Sequence, residues 1–307
     1  MLPSAERRFN LAELHVHLEG SVEPDTLLEI DSSLTRDEII AETSYTDFPG
    51  FIRSYVWVNR KIETPAHYAL IARRLFERLA REGVTYAEVI LSVGVLLWKG
   101  ADFAPIWNSV AAEAAQSPIP IRWIFDATRQ FGAEAAKPVF ELAAERIHEG
   151  VVAIGMGGFE DGAPAGDFAD LYRLARDRGL HTVSHAGETT TAQNVWEALA
   201  IGAERIGHGI RSIDDPKLVD HLREHDVPLE ISISSNVRTG SVKSVEDHPV
   251  RKLFDAGVPI ILNTDDPALF GCTLTSEYEL ARTVFGFTEE ELAAVRRNGF
   301  RYAFTAL

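Results

Sequence analysis

The chain has 307 residues and a formal charge of −16, a size that suits one α/β barrel of about 250 residues with additions. The acidity argues against a nucleic-acid backbone as partner, because such interfaces need clustered Lys and Arg. The single cysteine, Cys272, excludes an internal disulfide or a Cys-based zinc cluster.

The N-terminal run MLPSAERRFNLAE has no apolar segment of the kind that directs secretion, and the longest apolar runs are too short to span a bilayer. The expectation is a cytoplasmic protein with no membrane partner. No low-complexity stretch or linker marks a boundary, so residues 1–307 read as one domain.

Short β-branched runs alternate with amphipathic ones along the chain. The spacing predicts strands at Leu11–His17, Tyr86–Ser92, Ile119–Phe125, Val151–Met156, His181–His185, Arg205–His208, Val227–Ile233 and Ile260–Asp265. Between them it predicts helices at Pro65–Glu82, Ala133–His148, Phe168–Arg178, Ala192–Ala200, Pro216–His225 and Val250–Ala256, with further helices from Leu274 onward. Gly83, Gly150, Gly179, Gly202 and Gly257 fall at helix ends, where a left-handed residue closes the last turn. Eight strands each followed by a helix predict a (β/α)8 TIM barrel. An open doubly wound sheet would want a Gly-rich turn after the first strand, and that strand ends in His-Val-His.

The polar residues at the predicted strand ends carry the chemistry. His15 and His17, two apart on a strand, share one face. His185 ends the fifth strand, His208 the sixth, and Asp265 and Asp266 the eighth. The C-terminal ends of barrel strands meet at one mouth, so these distant stations become neighbours. Imidazoles and a carboxylate there suit Zn²⁺ or a similar ion that keeps a catalytic water.

The motifs ELHVHLEGS, SHAGE, RIGHG, ISSNV and NTDDP, in this order, resemble the adenosine deaminase family of the amidohydrolase superfamily. The resemblance runs from about Leu11 to the final helices. It implies one zinc ion per chain, held by His15, His17, His185 and Asp265. It further implies that Glu188 protonates purine N1, and that His208 orients and deprotonates the metal-held water. Asp266 would bond that water or purine N7, and Gly158 would donate from its backbone to N3. The segment with Phe48, Phe51, Tyr55 and Trp57 would lid the pocket, Phe51 and Tyr55 matching the substrate-packing positions best.

These roles suit hydrolytic loss of ammonia from an aromatic amidine carbon. A metal brings the pKa of water down to about 7, and an acid must stand beside the ring nitrogen that gains charge. The fourth strand runs into GMGGFE, with no lysine to bridge two metals. No Pro-Cys-x-x-Cys or G-x-S-x-G run is present.

Two positions depart from the typical adenosine enzyme. Glu19 stands where an Asp contacts the ribose 5′-hydroxyl, and Gly155 where strand four usually ends in Asp; the loss of that acid is expected to open room. His-Leu-Glu-Gly also resembles deaminases of adenine or aminodeoxyfutalosine, a 5′-extended adenosine relative. Adenine-specific members commonly carry Asp where this chain has Gly207, which favours a nucleoside. The expected substrate is therefore a small-molecule 6-aminopurine nucleoside, adenosine or a 5′-modified one. Adenine deamination is the alternative, followed by an inactive barrel with a binding or regulatory role.

Overall fold

The computed structural model describes residues 10–305. Eight strands hydrogen-bond in sequence order, all parallel: β1 Leu11–His17, β2 Val84–Leu91, β3 Ile121–Thr128, β4 Val151–Gly157, β5 His181–Ala186, β6 Arg205–His208, β7 Leu229–Ile231 and β8 Ile260–Leu262. The seam between β8 and β1 is closed by loop backbone, not by a ladder. His17 N donates to Asp265 O at 2.8 Å and Asp265 N to His15 O at 2.9 Å. The result is a nearly closed TIM barrel, as the alternation predicts.

The helices follow from apolar faces and caps. Thr64 caps the helix Pro65–Arg81 by accepting from His67 N, and that helix buries Tyr68, Ile71, Ala72, Leu75, Phe76 and Leu79, a 3.6-residue stripe turned to the sheet. The five glycines expected to end helices all take positive φ, between +83° and +96°. The chain after β8 folds into the helices Leu274–Thr283 and Glu289–Arg301. Among the described residues no helix is long and apolar enough to cross a membrane.

The lumen is packed. Ala12, Leu14, Tyr86 and Ile261 form one apolar cluster, against which Phe300 and Tyr302 pack. Ile90, Ile124, Ala153 and Val183 form another, against Phe304. The end of the chain thus stoppers the mouth opposite the strand C-termini. A register shift in β1 between Glu13 and Val16, a bulge of the kind that re-aims side chains, falls where the first imidazole leaves the strand.

Candidate active site at the barrel mouth

The strand ends bring His15, His17, His185 and Asp265 together, with one ligand atom from each lying within 4.8 Å of the others. Asp265 Oδ1 lies 3.6 Å from His15 Nε2 and 3.4 Å from His17 Nε2. All four residues are buried, and His15 Nε2 has no hydrogen-bond partner among the described residues. An orphaned imidazole nitrogen facing a carboxylate and two more imidazoles is a donor set that fits a divalent ion.

The protonation states agree. Burial pulls His17 down to about 4 and His185 well below the usual histidine range, so both offer lone pairs at neutral pH. Burial would also strip His15, but Asp265 and Glu230 outweigh it and push His15 up to about 10. The pocket is negative enough to hold a cation even where that cation is only a proton.

Backbone strain marks the same place. Asp265 and His208 hold φ of +65° and +63°, two of the three described non-glycine residues with positive φ. Such backbone costs about 1–3 kcal/mol per residue and persists only where the surroundings enforce it. Ser235 Oγ donates to Asp265 Oδ2 at 2.7 Å. Asn236 Nδ2 meets His208 Nδ1 at 3.1 Å. The ISSNV motif therefore braces both strained residues from the short helix Ile233–Arg238.

His208 Nε2 stands 3.7 Å from Glu188 Oε2. Burial pulls His208 down to about 4. Burial pushes Glu188 well above the carboxylate range, and the Asp265 and Glu160 charges add to the effect. The cleft thus sets an imidazole favoured in its neutral form beside a carboxyl whose proton is held more tightly than usual. Asp266 is likewise raised, by burial and by Asp265. A Cβ on Gly20 would overlap the Asp266 carboxylate, which accounts for glycine after His-Leu-Glu.

The cavity above is lined by His17, Ser92, Asp126, Gly158, Glu188 and Asp266, among others, and encloses about 1120 Å³ with its open mouth. One face of the helix Phe48–Lys61 covers it. Phe48, Phe51, Ile52, Tyr55, Val56, Asn59 and Arg60 all line the cavity, at the i, i+3, i+4, i+7 spacing of a single helical stripe. Trp57 lies off that stripe, with Lys61 over its ring. Gly158, which lines the cavity, has φ +94°, and a side chain there would collide with Gln130 Oε1, so only glycine fits.

Glu19 is fully buried and does not line the cavity. Its Oε1 accepts from Ser92 N at 3.1 Å, and Ser92 Oγ meets Tyr55 OH at 2.7 Å. It reaches the cavity through those two residues and through its charge, which adds to the effect of burial in pushing the cavity-lining Asp126 and Asp266 upward. Gly155 does not open room. A Cβ there would lie 3.0 Å from Asp126 Oδ1, a buried cavity-lining oxygen with no partner among the described residues. The acid missing from β4 has a counterpart on β3.

Three supporting residues have no role assigned from the sequence. Glu230 Oε2 bonds His15 Nδ1 at 2.7 Å, aiming the other ring nitrogen at the ligand group. Arg205 joins Glu230 at 2.5 Å to Glu88 at 2.6 Å, continuing the buried chain of charge down the lumen. Glu160 accepts from Gly187 N, Glu188 N, Thr189 N and Thr190 Oγ1 at 2.6–3.0 Å, a clamp on the loop that carries Glu188.

Comparison with known proteins decides the family. The adenosine deaminase family model matches residues 10–306. The chain belongs to the adenosine deaminase family. It is 38% identical to the aminodeoxyfutalosine deaminase of Streptomyces coelicolor, over 95% of this chain and 79% of that one. To the adenine deaminase of Sinorhizobium fredii it is 34% identical, over 95% and 93%. An amidohydrolase from Burkholderia ambifaria, solved with bound Zn, superposes with a TM-score of 0.89 at 26% identity, covering 97% of this chain and 86% of that one. This adenosine deaminase family member is an aminohydrolase built on a TIM barrel with a buried His/Asp group able to hold a metal.

Proposed function

We propose that the protein hydrolytically deaminates a 6-aminopurine nucleoside, adenosine or a 5′-extended adenosine, to the 6-oxopurine nucleoside and ammonia, with one zinc ion per chain. The enzyme's relatives include deaminases of adenine and of aminodeoxyfutalosine, so action on adenine- or adenosine-type substrates is the coarser statement on which this reading stands. The observation that carries it is the place of Glu188, whose carboxyl burial pushes well above the usual carboxylate range, in the same cavity as the four-residue donor group.

His15, His17, His185 and Asp265 would hold the zinc. When bound, the ion brings the pKa of water to about 7 and so supplies hydroxide. Glu188 gives its proton to N1 as the amidine carbon is attacked, work worth roughly 10²–10⁴-fold in rate. His208 stands at the water's face and Asp266 at the water or N7, while the backbone of Gly158, which lines the cavity, meets N3.

The 5′-extended reading is supported by the rim. Trp98 is 64% exposed and stacks on Phe131 with centroids 5.4 Å apart and planes within 10°. Val56, also exposed, lines the same mouth. An apolar shelf outside the base site suits a substituent larger than a hydroxyl. Gly207 supports a nucleoside over free adenine: a Cβ there would lie 3.0 Å from His15 Cε1, so the Asp of adenine-specific members would need a different fit.

The test is ammonia release from adenosine, deoxyadenosine, adenine, methylthioadenosine and aminodeoxyfutalosine under one set of conditions. A 5′-substituted nucleoside should be turned over with kcat/KM within about tenfold of adenosine or better, a window of roughly 1.4 kcal/mol. Adenine as best substrate would overturn the nucleoside assignment.

A further inference from the structure

His208 is joined to the backbone by a buried relay. Its Nδ1 meets Asn236 Nδ2 at 3.1 Å, and Asn236 Oδ1 meets His248 Nε2 at 3.1 Å. The relay ends at Val250 N, which donates to His248 Nδ1 at 3.1 Å. All three side chains are buried.

That last bond sets the direction of all the others. A backbone N–H can only donate, so His248 Nδ1 is the acceptor. Burial holds His248 neutral, down to about 3, and its one ring proton is therefore on Nε2. Asn236 must receive that proton on its carbonyl oxygen, which turns its amide NH₂ toward His208. His208 Nδ1 then accepts, and the proton of neutral His208 sits on Nε2. Flipping Asn236 would set its NH₂ against His248 Nε2 and leave His248 with two accepting nitrogens and no proton. No neutral imidazole has that form.

We propose that Asn236 and His248 are positioning residues that fix the Nε2–H tautomer of His208, so that His208 meets the reacting face as a hydrogen-bond donor. Its Nε2 faces Glu188 Oε2 at 3.7 Å and Asp265 Oδ2 at 3.9 Å, of which the Asp265 carboxylate can only accept. Resting on the deaminase reading above, the consequence is that neutral His208 orients the attacking water by donating to it. It has no lone pair on that face with which to take the water's proton.

The test is nitrogen NMR of ¹⁵N-histidine-labelled full-length protein, both metal-free and zinc-loaded, with His208 assigned by its loss in His208→Gln. Protonated and unprotonated ring nitrogens are far apart in shift. The expected result is Nε2 protonated and Nδ1 bare. Asn236→Asp, whose carboxylate accepts from both rings, should move the proton to Nδ1 and lower kcat by about 10²–10⁴-fold with a smaller change in KM, the range over which a positioned proton-transfer group contributes and whose upper end a wrong histidine tautomer reaches. Should that variant fail to fold, His248→Phe removes the donor to Asn236 and should give a mixture of tautomers. An Nδ1–H tautomer in the wild type, or an unchanged Nε2–H in the folded variants, overturns the inference. Deamination by the same wild-type sample is scored separately. If it is absent while the Nε2–H tautomer is present, the functional reading falls and the relay stands.

Discussion

At the scale of single residues, in the zinc site proposed above, His15 would decide how the metal is taken up. Its proton, held to about pH 10 by Asp265 and Glu230 against the effect of burial, occupies the position a divalent ion would need. The other two imidazoles are already bare at neutral pH, and Asp265 is held well below the carboxylate range by His15, His208 and His17 despite its burial. One proton must therefore leave as the ion enters, and raising the pH weakens the competitor. Zinc affinity should rise about tenfold per pH unit, or about 100-fold from pH 6 to pH 8, measured by competition with a chelator of known affinity. A flat profile would show that His15 is not a ligand. Glu230→Gln removes the carboxylate behind His15 Nδ1, and the same competition should report affinity lower by about 10–100-fold. Glu188→Gln should leave zinc content and folding intact while kcat falls by about 10²–10⁴-fold, since the amide keeps the shape and lacks the acidic proton.

At the scale of elements, much of the barrel was legible from the sequence. β1, β6 and the helix Ala192–Ala200 have the bounds that periodicity predicts. The misses share a physical cause. β3 was expected to stop at Phe125, where the apolar run ends, yet it continues to Thr128, because lumen-facing polar residues extend a strand at the catalytic mouth. Asp126 lies in that extension. β7 and β8 are shorter than their apolar runs: after Ser232 the chain turns into the short helix Ile233–Arg238, which buries Ile233, Ser235 and Asn236 directly behind the strand. An apolar run alone does not show where strand gives way to helix. The motif residues were found because they converge at strand ends. Glu230 was not, for a lone acid in a three-residue strand shows its purpose only through a bond to a histidine 215 positions away. Glu160, in GMGGFE, was in view but gave no sign of its four partners.

The β3–β4 pair offers its own test. Gly155→Asp alone would press a second carboxylate against Asp126, which burial already pushes up to about 7. It should lower stability by about 3 kcal/mol in denaturant unfolding. Joining it with Asp126→Gly returns one carboxylate to the same space. The double variant should recover at least about 1 kcal/mol relative to the sum of the single changes, the range expected for residues in contact. Additive effects would show that the two positions do not share that space.

At the scale of the whole molecule, the active mouth and the stoppered mouth are joined by one line of buried charge. Arg205 lies between Glu88 and Glu230, donates to Tyr302 O at 2.9 Å, and has Phe304 3.7 Å from its guanidinium. Arg205→Met keeps the bulk and removes the cation between two buried carboxylates, a loss of about 3–5 kcal/mol. Because Glu230 is also the partner of His15, zinc affinity should fall in the same variant. An unchanged unfolding midpoint would refute the linkage.

The barrel's seam has a consequence for biosynthesis. β1 and the loop after β8 meet through His15, His17 and Asp265, and beside them Leu14 N bonds Asn263 Oδ1 across 249 positions of sequence. A growing polypeptide therefore exposes two of its metal donors almost at once and the carboxylate only when translation is nearly over. Until that segment emerges, the histidines face an open sheet edge with no anionic partner from β8, and a cation would find only part of its shell. In the proposed site, metal uptake would belong to the last act of folding, after the first strand and the last have met. Ribosome-stalled chains ending before Ile260 should retain no stoichiometric zinc, whereas chains extended past the helix Glu289–Arg301 should capture one ion each.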